Sequence, residues 1–408
     1  MISQALNDQI TRIGPNTDAG NVLRHYWQPA ALSDELRGDF PVAVNLLGER
    51  LALVRADSGT LNLRTRIAPE GEPPAYCPAP QEIILDPNGP SYPVHEIKGA
   101  VFAYMGPGDP PKFPNFDCFR APDSHVFAFK GLWRCNWLQA LEIGIDPAHA
   151  SFLHRFLEDE DPSDSYGKQF RDKAAHTDMP MTQVLREYPR PEIKVDETDY
   201  GLKITALRHM DNDLTHVRVT NQIFPEAICI PMSREMTITQ WHVPIDDENC
   251  YWFTIFTSFK NPVNKELMRE QRLKEHSLPD YAPLKNRDNN YHYDPAEQET
   301  LTYTGMGLDI NVHDQWAVEG MGAIQDRRQE HLGRSDVAII RYRRMLRKAI
   351  ADLAAERPED LPMQGRADVM GILGPLSNDA IAPTANWQSA SHAADIARRS
   401  ECPWDASV

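Results

Sequence analysis

The run Asn136-Trp137-Leu138-Gln139-Ala140-Leu141-Glu142-Ile143-Gly144-Ile145-Asp146-Pro147-Ala148-His149-Ala150-Ser151-Phe152-Leu153-His154 decides how this chain is read. It sets two histidines five residues apart behind Asp146-Pro147, an order that opens a helix: an acceptor caps it, and a proline in the first turn forfeits no hydrogen bond. Neutral imidazole is the commonest nitrogen ligand of first-row metals, so the run offers two thirds of a mononuclear site. Geometry restrains that reading. At about 100° per residue, positions five apart on a regular helix diverge by roughly 140°. Both rings reach one ion only where the helix is bulged or ends between them. A pair of histidines alone equally fits one buried, hydrogen-bonded ring and one at the surface.

The missing ligand would be a carboxylate from elsewhere. Asp314 stands in Asn311-Val312-His313-Asp314-Gln315-Trp316-Ala317-Val318-Glu319-Gly320, where a helix is expected to begin near Asp314. An aspartate so placed is either a cap or a ligand. Two imidazoles and one carboxylate on a single face leave positions open for oxygen and substrate, the pattern of non-haem Fe(II) oxygen chemistry.

Around these runs the chain reads as α+β. Alternating Val42, Val44 and Leu46, a Gly48-Glu49 turn, then Leu51, Leu53 and Ala56 before a turn at Asp57-Ser58-Gly59 predict a β-meander over 41–64. The proline-rich stretch 66–92 predicts loop, a strand returns at 100–104, and 105–111 reads as an irregular connector. Segments 216–224, 236–243 and 251–256, rich in Thr, Ile, Val and aromatics, predict long strands of an antiparallel sheet. Residues 264–300 lack apolar periodicity. Val337, Ile340, Leu346, Ile350 and Leu353 predict a helix over 335–356. The last 25 or so residues are small and polar, an arm expected to pack poorly.

Bulk properties narrow the function. A chain of 408 residues accommodates two domains. A net charge of −17 argues against nucleic acid and against an anionic membrane surface. No apolar run approaches the roughly 20 residues needed to span a bilayer, and the start lacks the basic and apolar segments of a secretory signal. Cysteines at 77, 118, 135, 229, 250 and 402 show no framework spacing, which suits a reducing compartment. A cytoplasmic protein is expected.

Both runs resemble the α-subunits of Rieske non-haem iron oxygenases, in the branch of phthalate dioxygenase. The first resembles the family's Asn-Trp…Glu…Asp-x-x-His-x-x-x-x-His segment. The second resembles its Gln-Asp…Glu…Gly…Asp-Arg…Glu-His-Leu-Gly-x-x-Asp segment, here ending Glu330-His331-Leu332-Gly333-Arg334-Ser335-Asp336. Leu23-Arg24-His25-Tyr26-Trp27-Gln28-Pro29 and Ser91-Tyr92-Pro93-Val94-His95-Glu96 extend the likeness, which covers about residues 10–350. It implies His149, His154 and Asp314 as ligands of Fe(II), with Zn(II) as the alternative metal. It also implies Asp146 as the link to a neighbouring subunit, a homotrimer and a small aromatic substrate. The fold it implies is an N-terminal Rieske-like antiparallel β domain (1–124) and a helix-grip, START/Bet v 1-like catalytic domain (125–382), followed by the arm (383–408). Two positions depart from the family: Ile143 replaces a usual glycine, and His313 a usual glutamine. His313 is either an acid/base group beside the metal or a surface histidine.

One further departure changes the chemistry. A Rieske [2Fe-2S] centre needs Cys-x-His and Cys-x-x-His, and neither spacing occurs in this sequence. The loops that would carry them are expected to be deleted, so no [2Fe-2S] cluster is expected. Three functions remain open. One is an oxygenase that hydroxylates or O- or N-dealkylates an aromatic compound, with electrons from a separate donor docked on Arg341, Arg343, Arg344, Arg347 and Lys348, a patch that equally fits a solvated helix face. The second is a redox-neutral, metal-dependent hydrolase or lyase in which Asp146 or His313 serves as general base. The third is a companion subunit without activity. Arg208, Arg218, Asn221 and Trp241 are candidate pocket residues.

Overall fold

A computed structural model of the chain describes residues 2–36, 38, 40–56, 59–158, 179–366 and 368–408. The meander forms as expected, from strands Val42–Leu46, Glu49–Arg55 and Leu61–Ile67. The expected turn residues Asp57 and Ser58 lie outside the described residues. Beside it, Gln28–Leu32, Ala100–Ala103 and Val94–Ile97 make a three-stranded antiparallel sheet. The third meander strand runs on through Arg66 and Ile67, and beyond it within 66–92 only the two-residue strands Ile84–Leu85 and Ser91–Tyr92 and a single 3-10 turn interrupt the loop.

The larger sheet has eight antiparallel strands. Its order is Glu192–Thr198, Gly201–His209, Leu214–Ile223, Ala227–Pro231, Met236–Pro244, Cys250–Ser258 and Val126–Trp133, with Asn378–Pro383 paired to the first half of Leu214–Ile223. Nearly every residue of its central strands is buried, because helices cover one face, and the N-terminal sheets together with the C-terminal helix cover the other. Four of the strands that were not expected, Val126–Trp133, Gly201–His209, Ala227–Pro231 and Asn378–Pro383, are buried along most of their length, and with both faces covered alternation disappears; the edge strand Glu192–Thr198 does alternate and was missed.

Three helices depart from expectation. Lys265–Leu273 forms inside the stretch that lacked apolar periodicity; Asn264 caps it through Leu267 N, and only Met268 and Arg272 are buried. The helix expected near Asp314 begins a turn earlier, at Ile310, because Asp309 is the cap, accepting from Asn311 N at 3.0 Å. The arm is not loosely packed. Trp387–Ser400 is a helix laid on Asn378–Pro383, with Asp395, Arg398 and Arg399 buried. Arg399 bridges Asp395 and Asp117 at 2.8 Å each, and Trp404 donates to Ser258 O at 3.0 Å. Its polar look misleads because each charge finds a partner, one of them 282 positions away. Among the described residues no helix is long and apolar enough to cross a membrane.

Candidate metal centre

The first run splits into two helices. Trp137–Gly144 ends against the sheet, so closely that a Cβ at Gly144 would sit 2.4 Å from Ile228 Cδ1. Asp146 then forms a turn, its Oδ1 accepting from Ala148 N at 2.8 Å. A one-turn helix, Ala150–Leu153, follows with His149 and His154 at its two ends. The helix thus fills the interval between the two histidines and ends at each of them, so neither ring sits within its regular turns. Their centroids are 5.1 Å apart with planes at 86°. Ile143, at the family's glycine position, packs half-buried against the core.

Asp314 comes to meet them from the middle of Ile310–Gly320. Its Oδ1 lies 3.6 Å from His149 Nε2 and 3.2 Å from His154 Nε2, and the three donor atoms lie within 4.8 Å of one another. Donors about 2.1 Å from one ion and at right angles are about 3 Å apart, so these separations suit a shared ion. His149 Nδ1 faces the Asp146 carbonyl and donates to it, which leaves Nε2 as a lone pair directed at Asp314. Burial lowers the pKa of His149 and raises that of Asp314 to about 6, while Asp314 Oδ1 has no hydrogen-bond partner. A buried carboxylate oxygen left in this condition is costly unless a cation compensates it. The donor set therefore fits a divalent first-row ion.

The rest of both runs holds these pieces in place. Gln139 donates to Val318 O and Gly322 O at 2.9 and 2.8 Å and accepts from Gln325 N at 2.7 Å. Glu142 receives Arg327 at 2.9 Å and Arg343 at 2.5 Å, and Arg343 continues to Glu330. These bonds tie the helix before His149 to the segment after Asp314. Arg208 supports the histidine turn from behind, donating to Pro147 O and Ser151 Oγ at 3.2 and 3.0 Å.

A cavity of about 450 Å³ opens beside the triad, lined by His149, His154, Asp314, Asp146 and mostly apolar strand residues. Its sheet wall consists of even-numbered positions, among them Ile228, Ile230, Ile238, Gln240, Trp252 and Phe256. Trp252 Nε1 donates to Gln240 Oε1 at 2.9 Å, which orients that amide. Of the four candidate pocket residues only Arg218 lines this cavity, and it is engaged by Asp379 at 2.9 Å. Asn221 and Trp241 point to the opposite face, one register step away. Asp146 lines the cavity, and burial raises its pKa. His313 is not a surface histidine. It is fully buried, stacks on His154 at 5.8 Å and donates from Nε2 to Gly307 O at 2.8 Å. Burial holds it near pKa 4, and it lies outside the cavity lining.

Residues 103–390 match the family model described as LigXa C-terminal domain like. The chain belongs to that family. The matched span of the LigXa C-terminal-domain-like family includes the whole triad and ends in the first turn of the final helix. Across most of its length the chain also resembles oxygenase subunits. It is 28% identical to the phthalate 4,5-dioxygenase oxygenase subunit of Pseudomonas putida, covering 87% of this chain and 88% of that one. It is 28% identical to the 3-chlorobenzoate-3,4-dioxygenase oxygenase subunit of Comamonas testosteroni, over 84% and 88% of the two chains. A third relative is the 5,5'-dehydrodivanillate O-demethylase oxygenase subunit of Sphingobium sp., 27% identical over 84% and 79%. The expected likeness to the phthalate dioxygenase branch therefore stands.

Proposed function

We propose that the chain is a mononuclear non-haem iron enzyme of oxygenase type that acts on a small aromatic compound, by hydroxylation or by O- or N-dealkylation. The convergence of His149, His154 and Asp314 at the end of an apolar cavity carries this reading. These three residues would hold Fe(II), with Zn(II) as the alternative. Bound Fe(II) supplies oxygen activation at the positions the protein leaves open. The chain's own contribution is placement. Ile228, Ile238, Trp252 and Phe256 exclude water and hold an aromatic ring. Gln240 presents an oriented amide to a polar substituent. Asp146 fixes the His149 tautomer through its carbonyl and offers a carboxyl for proton transfer at the cavity wall.

Electrons are assigned to a separate donor protein, because the sequence has neither cluster-binding spacing. An acidic donor would meet the exposed Arg341, Arg344, Arg347 and Lys348. Arg343 drops out of that patch, since it is buried on Glu142 and Glu330. A homotrimer, a cytoplasmic location and the division at residues 124 and 382 belong to the same proposal.

Metal analysis and anaerobic turnover test it. One ion per chain is expected, and His149→Ala or Asp314→Ala should weaken metal binding a hundredfold or more, about 3 kcal/mol. Occupancy that survives both changes places the metal elsewhere. Turnover should require oxygen and a reduced donor; turnover without either would establish the redox-neutral reading instead. Iron–sulfur absorption bands in the purified chain would remove the need for the separate donor.

A further inference from the structure

A second cavity, of about 230 Å³, lies across the large sheet from the first. Ala227 and Trp241 line it, whereas their chain neighbours Ile228 and Gln240 line the metal cavity. An aromatic wall comes from the N-terminal part, and residues 363–366 with Val369 close another side. Trp27, Phe102, Phe113 and Phe119 contribute rings whose centroids pack 4.7 to 5.6 Å apart. Lys112 and Arg366 stand exposed at the mouth. One acid, Glu226, from the turn between Leu214–Ile223 and Ala227–Pro231, is among the residues that line it. It is 1% exposed, and its Oε2 has no hydrogen-bond partner. Burial raises its pKa to about 8 and outweighs the opposing contact from the Gln28 side chain, so at neutral pH the group is a hydrogen-bond donor. An apolar cavity of about 150 Å³ is enough to bind benzene, so this one has room for a substituted ring.

We propose that this aromatic cavity is a second small-molecule site, which takes a neutral single-ring aromatic carbonyl compound and binds its oxygen through the Glu226 carboxyl. The aromatic walls supply stacking and edge contacts. The acid supplies the one directional contact, as protonated carboxyls do in apolar pockets. Nothing in the triad takes part, so the site is independent of the metal.

The test is ¹⁹F NMR on the full chain with 4-fluoroacetophenone, beside 1-ethyl-4-fluorobenzene, which has no acceptor. The ketone should show two bound resonances. Ala227→Phe should remove one of them, and Ile230→Trp, which fills the metal cavity, the other. Should Ala227→Phe not fold, Phe113→Trp narrows the same space from its opposite wall. In the wild type the hydrocarbon should bind the second cavity about tenfold more weakly than the ketone, and Glu226→Leu should erase that preference. A single resonance, lost only in Ile230→Trp, overturns the site. Equal binding of ketone and hydrocarbon overturns the role of Glu226 and leaves its carboxyl to the Gln28 side chain alone.

Discussion

The two faces of the large sheet are built from the same strands and do opposite things. On the even face, Ile238, Gln240, Trp252 and Phe256 shape a cavity whose chemistry arrives on helices laid over it. On the odd face, Ala227 and Trp241 meet N-terminal aromatics, and the one carboxyl among the residues lining that cavity is Glu226, at a strand turn. Hydropathy does not distinguish the faces, since both are buried; register does. The sheet therefore sets shape, and function depends on what is fastened to each side.

The largest effect should come from loosening that fastening on the metal side. Glu142 holds Arg327 and Arg343 in a buried cluster. Burial alone would raise its pKa, and the two guanidiniums outweigh that and lower it. Glu142→Ala leaves two buried cations facing each other, which should cost about 3–5 kcal/mol in denaturant-induced unfolding. Metal affinity should fall with it, because the cluster joins the histidine segment to the Asp314 helix. A loss below about 1 kcal/mol would mean that the cluster is hydrated and does not brace the site.

A smaller effect is expected where the C-terminal strand joins the sheet. Asp379 lies against His216 at 3.1 Å and Arg218 at 2.9 Å. Burial would raise its pKa; His216 and Arg218 outweigh burial and hold it at about 2, below the ordinary 3.8. A carboxyl depressed on folding stabilises fully above its unfolded value and loses that stabilisation as pH falls through the folded one. The contribution is about 2 kcal/mol and should vanish between about pH 4 and pH 2. Asp379→Asn should flatten the acid limb of the stability curve within that window. An unchanged limb would detach Asp379 from acid unfolding.

These residues also mark how far the sequence could be read. His149, His154 and Asp314 were named by the family resemblance, since residue type and spacing alone left the pair of histidines and the aspartate open to structural roles. The meander and the helix around Leu346 were legible because one face of each is polar. Glu142, Gln139 and Arg343 stood within or beside the quoted runs, but their partners lie up to 201 positions away, so a clamp read as motif letters or as a basic surface. His313 passed for a possible surface histidine because a lone polar letter carries no sign of burial. Asn221 and Trp241 were misplaced by one step of register, an error that sequence alone cannot detect in a strand covered on both sides.

The finest prediction sets neighbours on opposite faces against each other. Gln240 faces the metal cavity with its carbonyl held by Trp252, so its amide nitrogen is the donor available to a substrate. Gln240→Leu keeps the shape and removes that donor. The loss of one neutral hydrogen bond, about 1 kcal/mol, should raise KM for the aromatic substrate about fivefold and leave kcat nearly unchanged, because the contact is made equally in ground and transition states. Ile255, on the next strand and directed to the other face, is fully buried and lines neither cavity. Ile255→Val should cost about 1 kcal/mol of stability with no change in KM. If the two variants shift KM alike, the sheet transmits packing changes across its thickness, and shape rather than the Gln240 amide governs substrate binding. If only Gln240→Leu does so, the parity of the strands is itself the boundary of the site.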